Sequence, residues 1–191
     1  MTSLDQVISD LTSDNELRAE AAAAELSRMG QAALTPLESL LRSSVPDRRW
    51  WAVRTLAQMA APPLEWLIFA LDDPSNEVRE AAALALISHP TDKAVQSLVR
   101  VLNKADGMLG TLAGNALTAI GKPSVPDLLE AYKNAGLQAR INIMRSLAEI
   151  RDHRAISVML KATEDDSAML NYWAQEGLEK LGLNMVYIKP E

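Results

Sequence analysis

The segment DDPSNEVREAAALAL at residues 72–86 joins a polar turn to an alanine-rich helix, and related segments recur along the chain. Val78, Ala82 and Leu86 are four residues apart, a spacing typical of the buried side of an α-helix. Before the turn, a second apolar stripe with helical spacing contains Leu64, Leu67, Ile68 and Leu71. Residues 62–91 are therefore predicted to form a pair of helices, helix A followed by helix B.

This helix pair repeats six times with a period of about 30 residues. Equivalent apolar patterns of helix A start at Leu4, Leu34, Leu64, Val95, Val125 and Ile156. The residues that close helix B are Gly30, Ala60, Pro90, Gly121, Arg151 and Gly182. Both series advance by 30, 30, 31, 30 and 31 residues. Two helices in each repeat of this length predict an all-α fold, an α-solenoid or α-α superhelix of six two-helix repeats.

A repeat array grows by stacking, so we expect a single domain over residues 1–191. Its predicted repeats cover residues 3–31, 32–61, 62–91, 92–122, 123–152 and 153–183, and residues 184–191 follow as a tail. Two helix starts are predicted from capping signals: Ser13 in a capping-box spacing before helix B of repeat one, and Asp73 with Pro74 before helix B of repeat three.

The composition limits the classes of partner and compartment. With 19 basic and 25 acidic residues the net charge is −6, which disfavours nucleic acid as a partner. The chain has no cysteine, so disulfides and thiolate sites are excluded. No apolar run approaches the roughly 20 residues that span a bilayer, and the first residues carry no basic, cleavable leader. We therefore expect a soluble, cytoplasmic protein that does not use a membrane.

The run VREAAALAL at residues 78–86, with DDPSNE before it, resembles a HEAT repeat of the short type found in phycobilisome lyases. The resemblance covers nearly all of residues 3–182. It implies an armadillo-like helical array but no single activity, because such repeats serve lyase subunits, hydroxylases, glycosylases and scaffolds alike.

The resemblance also implies an arginine one place after the first apolar residue of helix B. Arg49, Arg79 and Arg140 match it, whereas repeats one, four and six have Ala19, Gly110 and Asn171 there. In this repeat type the arginine pairs with an acidic residue of the neighbouring loop, for which the candidates are Asp47, Asp72 and Asp73. We expect a structural ladder of such pairs with interruptions.

The remaining polar residues do not form a recognisable catalytic or metal site. His89 and His153 have no neighbouring glutamate of the kind that HEAT-like di-iron hydroxylases need, and we expect them to be packing or surface residues. The acidic clusters at Asp72-Asp73 and Glu164–Asp166 precede helices, which favours capping over cation binding. Glycines 107, 110 and 114 within helix B of repeat four indicate a softened or closely approached helix. We expect no catalytic residue, no metal and no cofactor.

The outward face of helix B is the candidate site. Positions 10, 9, 6 and 2 residues before each closing residue are expected to point away from the A helices, toward a concave groove. The candidate partner-binding residues on these positions are Trp50, Trp51, Arg54, Leu84, Leu112, Asn115, Ile141, Asn142, Arg145, Tyr172 and Trp173. Aromatic side chains with arginines are typical of protein-binding hot spots. For the tryptophan pair an alternative stays open, in which Trp51 above all is partly buried core at the seam between repeats.

These patterns predict a non-catalytic scaffold that binds a protein or an extended peptide. The alternative, implied by the resemblance, is a subunit of a phycobilin-lyase-like enzyme or a bilin-binding chaperone. In that alternative the tryptophans and Tyr172 stack on a tetrapyrrole, and Arg54 or Arg145 pairs with its propionates. A third hypothesis, a HEAT-fold DNA glycosylase, is disfavoured because the groove residues include no aspartate and the chain is acidic.

Overall fold

The computed structural model describes residues 3–105 and 107–183. These residues form twelve α-helices and three short 3₁₀ turns, and no strand occurs among them. The predicted all-α fold of six helix pairs is therefore confirmed. Within the described residues, no helix combines the length and the apolar character that crossing a membrane requires.

The chain divides into two compact units between His89 and Pro90, and each unit contains three helix pairs. The predicted tail at residues 184–191 lies outside the described residues, and the single domain over residues 1–191 stays a prediction.

The first unit holds repeats one to three, in which the odd-numbered helices are the predicted A helices and the even-numbered helices the predicted B helices. Its helices are α1 (Leu4–Leu11), α2 (Glu16–Met29), α3 (Gln31–Leu41), α4 (Pro46–Gln58), α5 (Leu64–Ala70) and α6 (Asn76–Ser88). Each A helix packs against the B helix that follows it, and α4 packs between α2 and α6.

The second unit repeats this arrangement with a 3₁₀ turn before each A helix, at Asp92–Ala94, Lys122–Ser124 and His153–Ala155. Its helices are α7 (Val95–Lys104), α8 (Gly107–Ile120), α9 (Val125–Tyr132), α10 (Leu137–Ile150), α11 (Ile156–Ala162) and α12 (Ala168–Lys180). Here α10 packs between α8 and α12.

The core consists of the predicted apolar stripes. Its largest fully buried side chains are leucines and one isoleucine, supplied by both helix types: Leu11, Leu26, Leu37, Leu56, Leu67, Leu71, Leu86, Leu98, Leu102, Leu117, Leu128 and Ile143. Eight residues before each closing residue lie Ala22, Ala52, Ala82, Ala113, Ile143 and Ala174, all of them buried. Small side chains at this position let the helices approach one another closely.

Two of the three glycines singled out in α8, Gly110 and Gly114, mark a close approach, whereas nothing lies within 4 Å of a side chain added at Gly107. A methyl group on Gly110 would lie 2.7 Å from the Ala105 carbonyl oxygen, and one on Gly114 would lie 3.3 Å from Ser146 Oγ. Ser146 Oγ donates to the Gly114 carbonyl at 2.9 Å, which joins α10 to the α8 backbone.

Two helix starts differ from the capping signals. Helix α2 is capped by Asn15, which accepts from the Arg18 amide, and not by Ser13. Helix α6 is capped by Ser75, while Asp73 Oδ1 accepts from the Ser75 amide at 2.8 Å. Each cap lies two residues later than predicted, because the side chain closer to the helix reaches the free backbone amides of its first turn. Asp165 likewise accepts from the amide of Ser167, the cap of α12, at 2.9 Å. The acidic clusters therefore satisfy loop amides, but serines cap the helices.

The arginine ladder is present in a broken form. Arg49 donates twice to Asp73, and its Nη1 donates to the Ser43 carbonyl at 2.9 Å. Arg79 Nη1 donates to the Asp73 carbonyl at 2.6 Å, and Arg140 Nη1 lies 3.8 Å from Asp165 Oδ2. Of the three candidate acids, Asp73 in the loop of the following repeat is thus the partner of Arg49.

Candidate functional site

All eleven candidate residues lie on B helices, in two groups. The first unit brings together Trp50, Trp51 and Arg54 of α4 with Leu84 of α6. The second unit holds Leu112 and Asn115 of α8, Ile141, Asn142 and Arg145 of α10, and Tyr172 and Trp173 of α12. We call these groups the first and second B-helix surfaces, and each is described within its own unit.

Exposure separates the candidates into three classes. Leu84 and Tyr172 are 51% and 50% exposed, and Asn115 is also exposed. The half-buried members are Trp50, Trp51, Arg54, Leu112, Ile141, Arg145 and Trp173. Asn142 is only 3% exposed, so the expectation that it faces the groove is wrong.

Asn142 is buried because its side of α10 faces α8. Its Nδ2 lies 3.3 Å from the point where a side chain on Gly110 would begin, and this nitrogen has no hydrogen-bond partner among the described residues. Asn142 stands nine residues before its closing residue, the position that Trp51 holds in repeat two. In repeat five this position faces the preceding repeat.

Trp51 lies next to repeat one. It lines a cavity together with Thr12 and Asp14 from the loop between α1 and α2. The indole is half-buried and belongs to this open wall, not to a sealed core. The part of Trp51 in the partner-binding site stays a prediction.

Two aromatic pairs stand on neighbouring residues of α4 and α12. The ring centroids of Trp50 and Trp51 are 4.9 Å apart with planes at 85°, and those of Tyr172 and Trp173 are 5.1 Å apart at 72°. Edge-to-face geometry of this kind is favourable for aromatic rings. Each pair therefore holds its rings in a defined orientation.

Arg54 is already paired within the first unit. Its Nη2 and Nε donate to Glu20 at 2.9 and 3.3 Å, and Gln58 Nε2 donates to the same carboxylate at 3.2 Å. These contacts connect α4 to α2. A partner's carboxylate would have to compete with Glu20 for this arginine.

Arg145 occupies the equivalent position in the second unit, six residues before the closing residue. Its Nη2 donates to Asn115 Oδ1 at 2.9 Å and to the Thr111 carbonyl at 3.3 Å. Glu149 lies one turn further along α10, and its Oε1 accepts from Lys180 Nζ of α12 at 2.6 Å. Both surfaces thus carry polar cross-links between B helices, which contribute little to stability because they are exposed to solvent.

The sequence-based prediction missed a row of exposed apolar side chains in the first turns of the B helices. Leu17 is 85% exposed, and in the second unit Met108, Leu137 and Met169 are 62%, 52% and 49% exposed. These last three precede Leu112, Ile141 and Trp173 by four residues, which places each pair on one helix face. The sequence does show these residues, because each is an apolar residue one helical turn before a candidate residue of the same B helix.

The histidines and carboxylates do not assemble into a metal site. His89 Nε2 lies 3.0 Å from the Ala57 carbonyl oxygen, and His153 is exposed in a 3₁₀ turn. Among residues 3–105 and 107–183, no group of three or more His, Cys, Asp or Glu side chains is placed to hold an ion.

Comparison with known families and proteins agrees with the repeat pattern. The family described as HEAT repeats matches residues 34–113 and 61–137, and the PBS lyase HEAT-like repeat matches residues 139–165. The phycocyanobilin lyase subunit beta of Nostoc sp. is 31% identical over 97 residues, which are 51% of this chain and 48% of that protein. The chain therefore spans about half the length of this curated relative, and the resemblance to phycobilisome lyase repeats is confirmed.

Several solved structures share the fold at about one fifth sequence identity. An engineered protein aligns with a TM-score of 0.57 at 20% identity, covering 96% of this chain and 98% of its own. A designed armadillo repeat protein in complex with the peptide (KR)4 aligns at 0.56 and 20%, covering 94% and 100%. The complex of CpcE and CpcF of phycocyanin lyase from Nostoc sp. aligns at 0.58 and 20%, covering 95% and 78%. These likenesses show the helical-repeat fold.

Proposed function

The chain belongs to the HEAT-repeat proteins, and we propose that it is a non-catalytic interaction module that binds an extended peptide or a protein through its B-helix surfaces. The observation that carries the proposal is the exposure of large apolar side chains on these helices, among them Leu84 in the first unit and Tyr172 in the second. Each such residue exposed to water is a source of binding energy when a partner covers it.

The surroundings of these residues also suit a protein partner. The arginines and lysine beside them are paired within the chain, so covering the surface leaves few unpartnered charges. Tyr172, held edge to face against Trp173, presents a large area without losing much conformational freedom on binding. A centre of aromatic and aliphatic groups bordered by satisfied polar groups is the usual composition of a protein interface.

A second candidate function is favoured by the curated relative. The Nostoc protein is named a phycocyanobilin lyase subunit beta, and a lyase-like role would use the same aromatic pairs to stack on a tetrapyrrole. We rank it second because Arg54 and Arg145, the expected partners of the propionates, are held by Glu20 and Asn115. A cytoplasmic location is part of the proposal, and fractionation of source cells tests it.

Site-specific photo-crosslinking tests the interaction module directly. A photoreactive amino acid replaces Tyr172 or Leu84 in the full chain, and a matched control carries it at the exposed Lys161 of α11. In extract of the source cell we expect the same protein to be linked at Tyr172 or Leu84 but not at Lys161. The identified partner, once purified, should bind the unmodified chain and lose affinity for Tyr172→Ala. Equal linkage from all three positions would contradict the proposal.

Titration with free phycocyanobilin tests the second candidate. Binding to the aromatic pairs should shift the visible absorbance of the bilin and quench tryptophan fluorescence, and Trp173→Leu should weaken both effects. An unchanged spectrum at saturating bilin would contradict a lyase-like or chaperone role.

A further inference from the structure

A cavity of about 470 Å³ opens in the first unit, between the loop that joins α1 to α2 and the first turns of α4. Its volume lies within the range of about 300–1,000 Å³ that is usual for ligand sites. The residues that line it include Asp14, Glu16, Asp47, Arg48 and Trp51. They surround one space from two consecutive repeats.

The charge of this cavity is negative. Its lining includes three acidic residues, Asp14, Glu16 and Asp47, and one basic residue, Arg48, which leaves two net negative charges. Within the described part of the chain, none of the three carboxylates takes part in a hydrogen bond or an ion pair. Asp73 and Asp165 differ, because each accepts from a loop amide.

Helix capping does not account for Asp14. Asn15 already caps α2 by accepting from the Arg18 amide, and Asp14 precedes that cap. Glu16 and Asp47 lie in first turns, where they complement the helix dipoles without using their hydrogen-bonding capacity. The three carboxylates therefore remain able to bind a cation.

Trp51 supplies an aromatic wall to the same space. Its indole is half-buried, so part of the ring remains accessible, and the edge-to-face contact with Trp50 at 4.9 Å orients it. The face of a tryptophan ring attracts organic cations more strongly than other aromatic side chains do. An aromatic wall with carboxylates around it is complementary to an ammonium or guanidinium group.

We propose that this cavity binds the lysine or arginine side chain of a protein partner, with the cation over Trp51 and the carboxylates of Asp14, Glu16 and Asp47 as its counter-charges. The inference rests on the proposed function, because it specifies the chemistry of a partner that the interaction module would hold. Arg48 lies in the same cavity and repels the incoming cation, so it limits the affinity.

Short blocked peptides test this assignment on the full chain. The probes are Gly-Arg-Gly, Gly-Lys-Gly and the neutral Gly-Gln-Gly, titrated while the indole N–H signals are followed by NMR. We expect saturable shifts of the Trp51 signal with the arginine and lysine peptides, weakening as salt is added, and none with the glutamine peptide.

Two substitutions that change the charge of the cavity should change its affinity for the arginine peptide in opposite directions. Asp47→Asn should weaken binding of the arginine peptide about two- to fivefold, and Arg48→Ala should tighten it by a similar factor. Glu65→Gln removes an exposed first-turn carboxylate of α5 outside the cavity and should leave the affinity unchanged. If these residues only stabilised the fold, the two substitutions would not change the affinity for the peptide in opposite directions.

Three results would overturn the inference: no shift with either cationic peptide, an equal shift with the glutamine peptide, or free arginine amide binding as tightly as the arginine peptide. The last would assign the cavity to a small organic cation. If a partner is crosslinked at Tyr172 but the cavity takes no cation, the interaction module stands and only this inference fails. If the cavity takes the peptides but no partner is crosslinked, the proposed function fails instead.

Discussion

Arg49 and Asp73 form a buried, bidentate ion pair that joins α4 to the loop before α6. Arg49 Nε donates to Asp73 Oδ2 at 2.7 Å and Nη2 donates to Oδ1 at 2.8 Å, and each residue is 8% exposed. The Ser75 amide and the Ser43 carbonyl complete the hydrogen bonding of the two groups. The pair therefore connects repeats two and three of the first unit.

Removal of one partner should destabilise the chain strongly. Arg49→Ala leaves the Asp73 carboxylate buried without its guanidinium, and we expect a loss of about 3–5 kcal/mol in the free energy of unfolding. Urea denaturation followed by circular dichroism measures it. The control is Arg42→Ala, which breaks the exposed Arg42–Glu38 pair of 3.1 Å and should cost about 0.5 kcal/mol. Similar losses from both variants would show that burial of the pair is unimportant.

The same pair predicts an acid-sensitive contribution to stability. Burial raises the pKa of Asp73, but the hydrogen bonds from Arg49 and Ser75 outweigh it and hold this pKa below its usual range. Because the folded pKa is below the unfolded one, the contribution is complete above about pH 4 and declines as the pH falls toward the folded value. Unfolding measured from pH 7 down to pH 2 should show this decline, and Asp73→Asn should flatten it. An unchanged slope in the variant would argue against Asp73 as the titrating group.

Arg151 has a left-handed backbone at the end of α10, with φ 56° and ψ 47°. An L-residue with a side chain is strained there, whereas glycine is not, so Arg151→Gly should stabilise the chain by up to about 1 kcal/mol. Gly121 closes α8 with φ 79°, and Gly121→Ala should therefore destabilise it. Thermal melts of the two variants should move in opposite directions. A lower melting temperature for Arg151→Gly would contradict the strain argument.

Gly110 should not tolerate a side chain. A methyl group there would lie 2.7 Å from the backbone oxygen of Ala105, which cannot move without shifting the chain. We expect Gly110→Ala to cost about 1–3 kcal/mol, in spite of alanine's better helix propensity. Gly136→Ala is the matched control, since nothing lies within 4 Å of the added carbon. Equal melting temperatures for both variants would mean that the backbone at Ala105 shifts at little cost to admit the methyl group.

Much of the fold was predictable because it depends on short-range spacing. The spacing of Val78, Ala82 and Leu86 is about one helical turn, and the same pattern recurs about every 30 residues. The helix pairs and their number can therefore be predicted without knowledge of the tertiary structure. The candidate site was less predictable, because the rotation of each B helix against its neighbours decides which side chains are open. Leu84 and Tyr172 are exposed as expected, whereas Asn142 at a neighbouring helical position is buried against α8.

The sequence alone determined the periodic features: two helices in each repeat, six repeats, an alanine–leucine core and aromatic residues on the B helices of repeats two and six. Helical spacing and apolar burial are local properties, so they can be recognised without knowledge of distant contacts. Tertiary structure alone decided the pairings across repeats. Arg54 binds Glu20 and Arg49 binds Asp73 because adjacent helices bring residues 34 and 24 positions apart into contact. It also placed Trp51 on a cavity beside repeat one, since a half-buried side chain takes its surroundings from the neighbouring repeat.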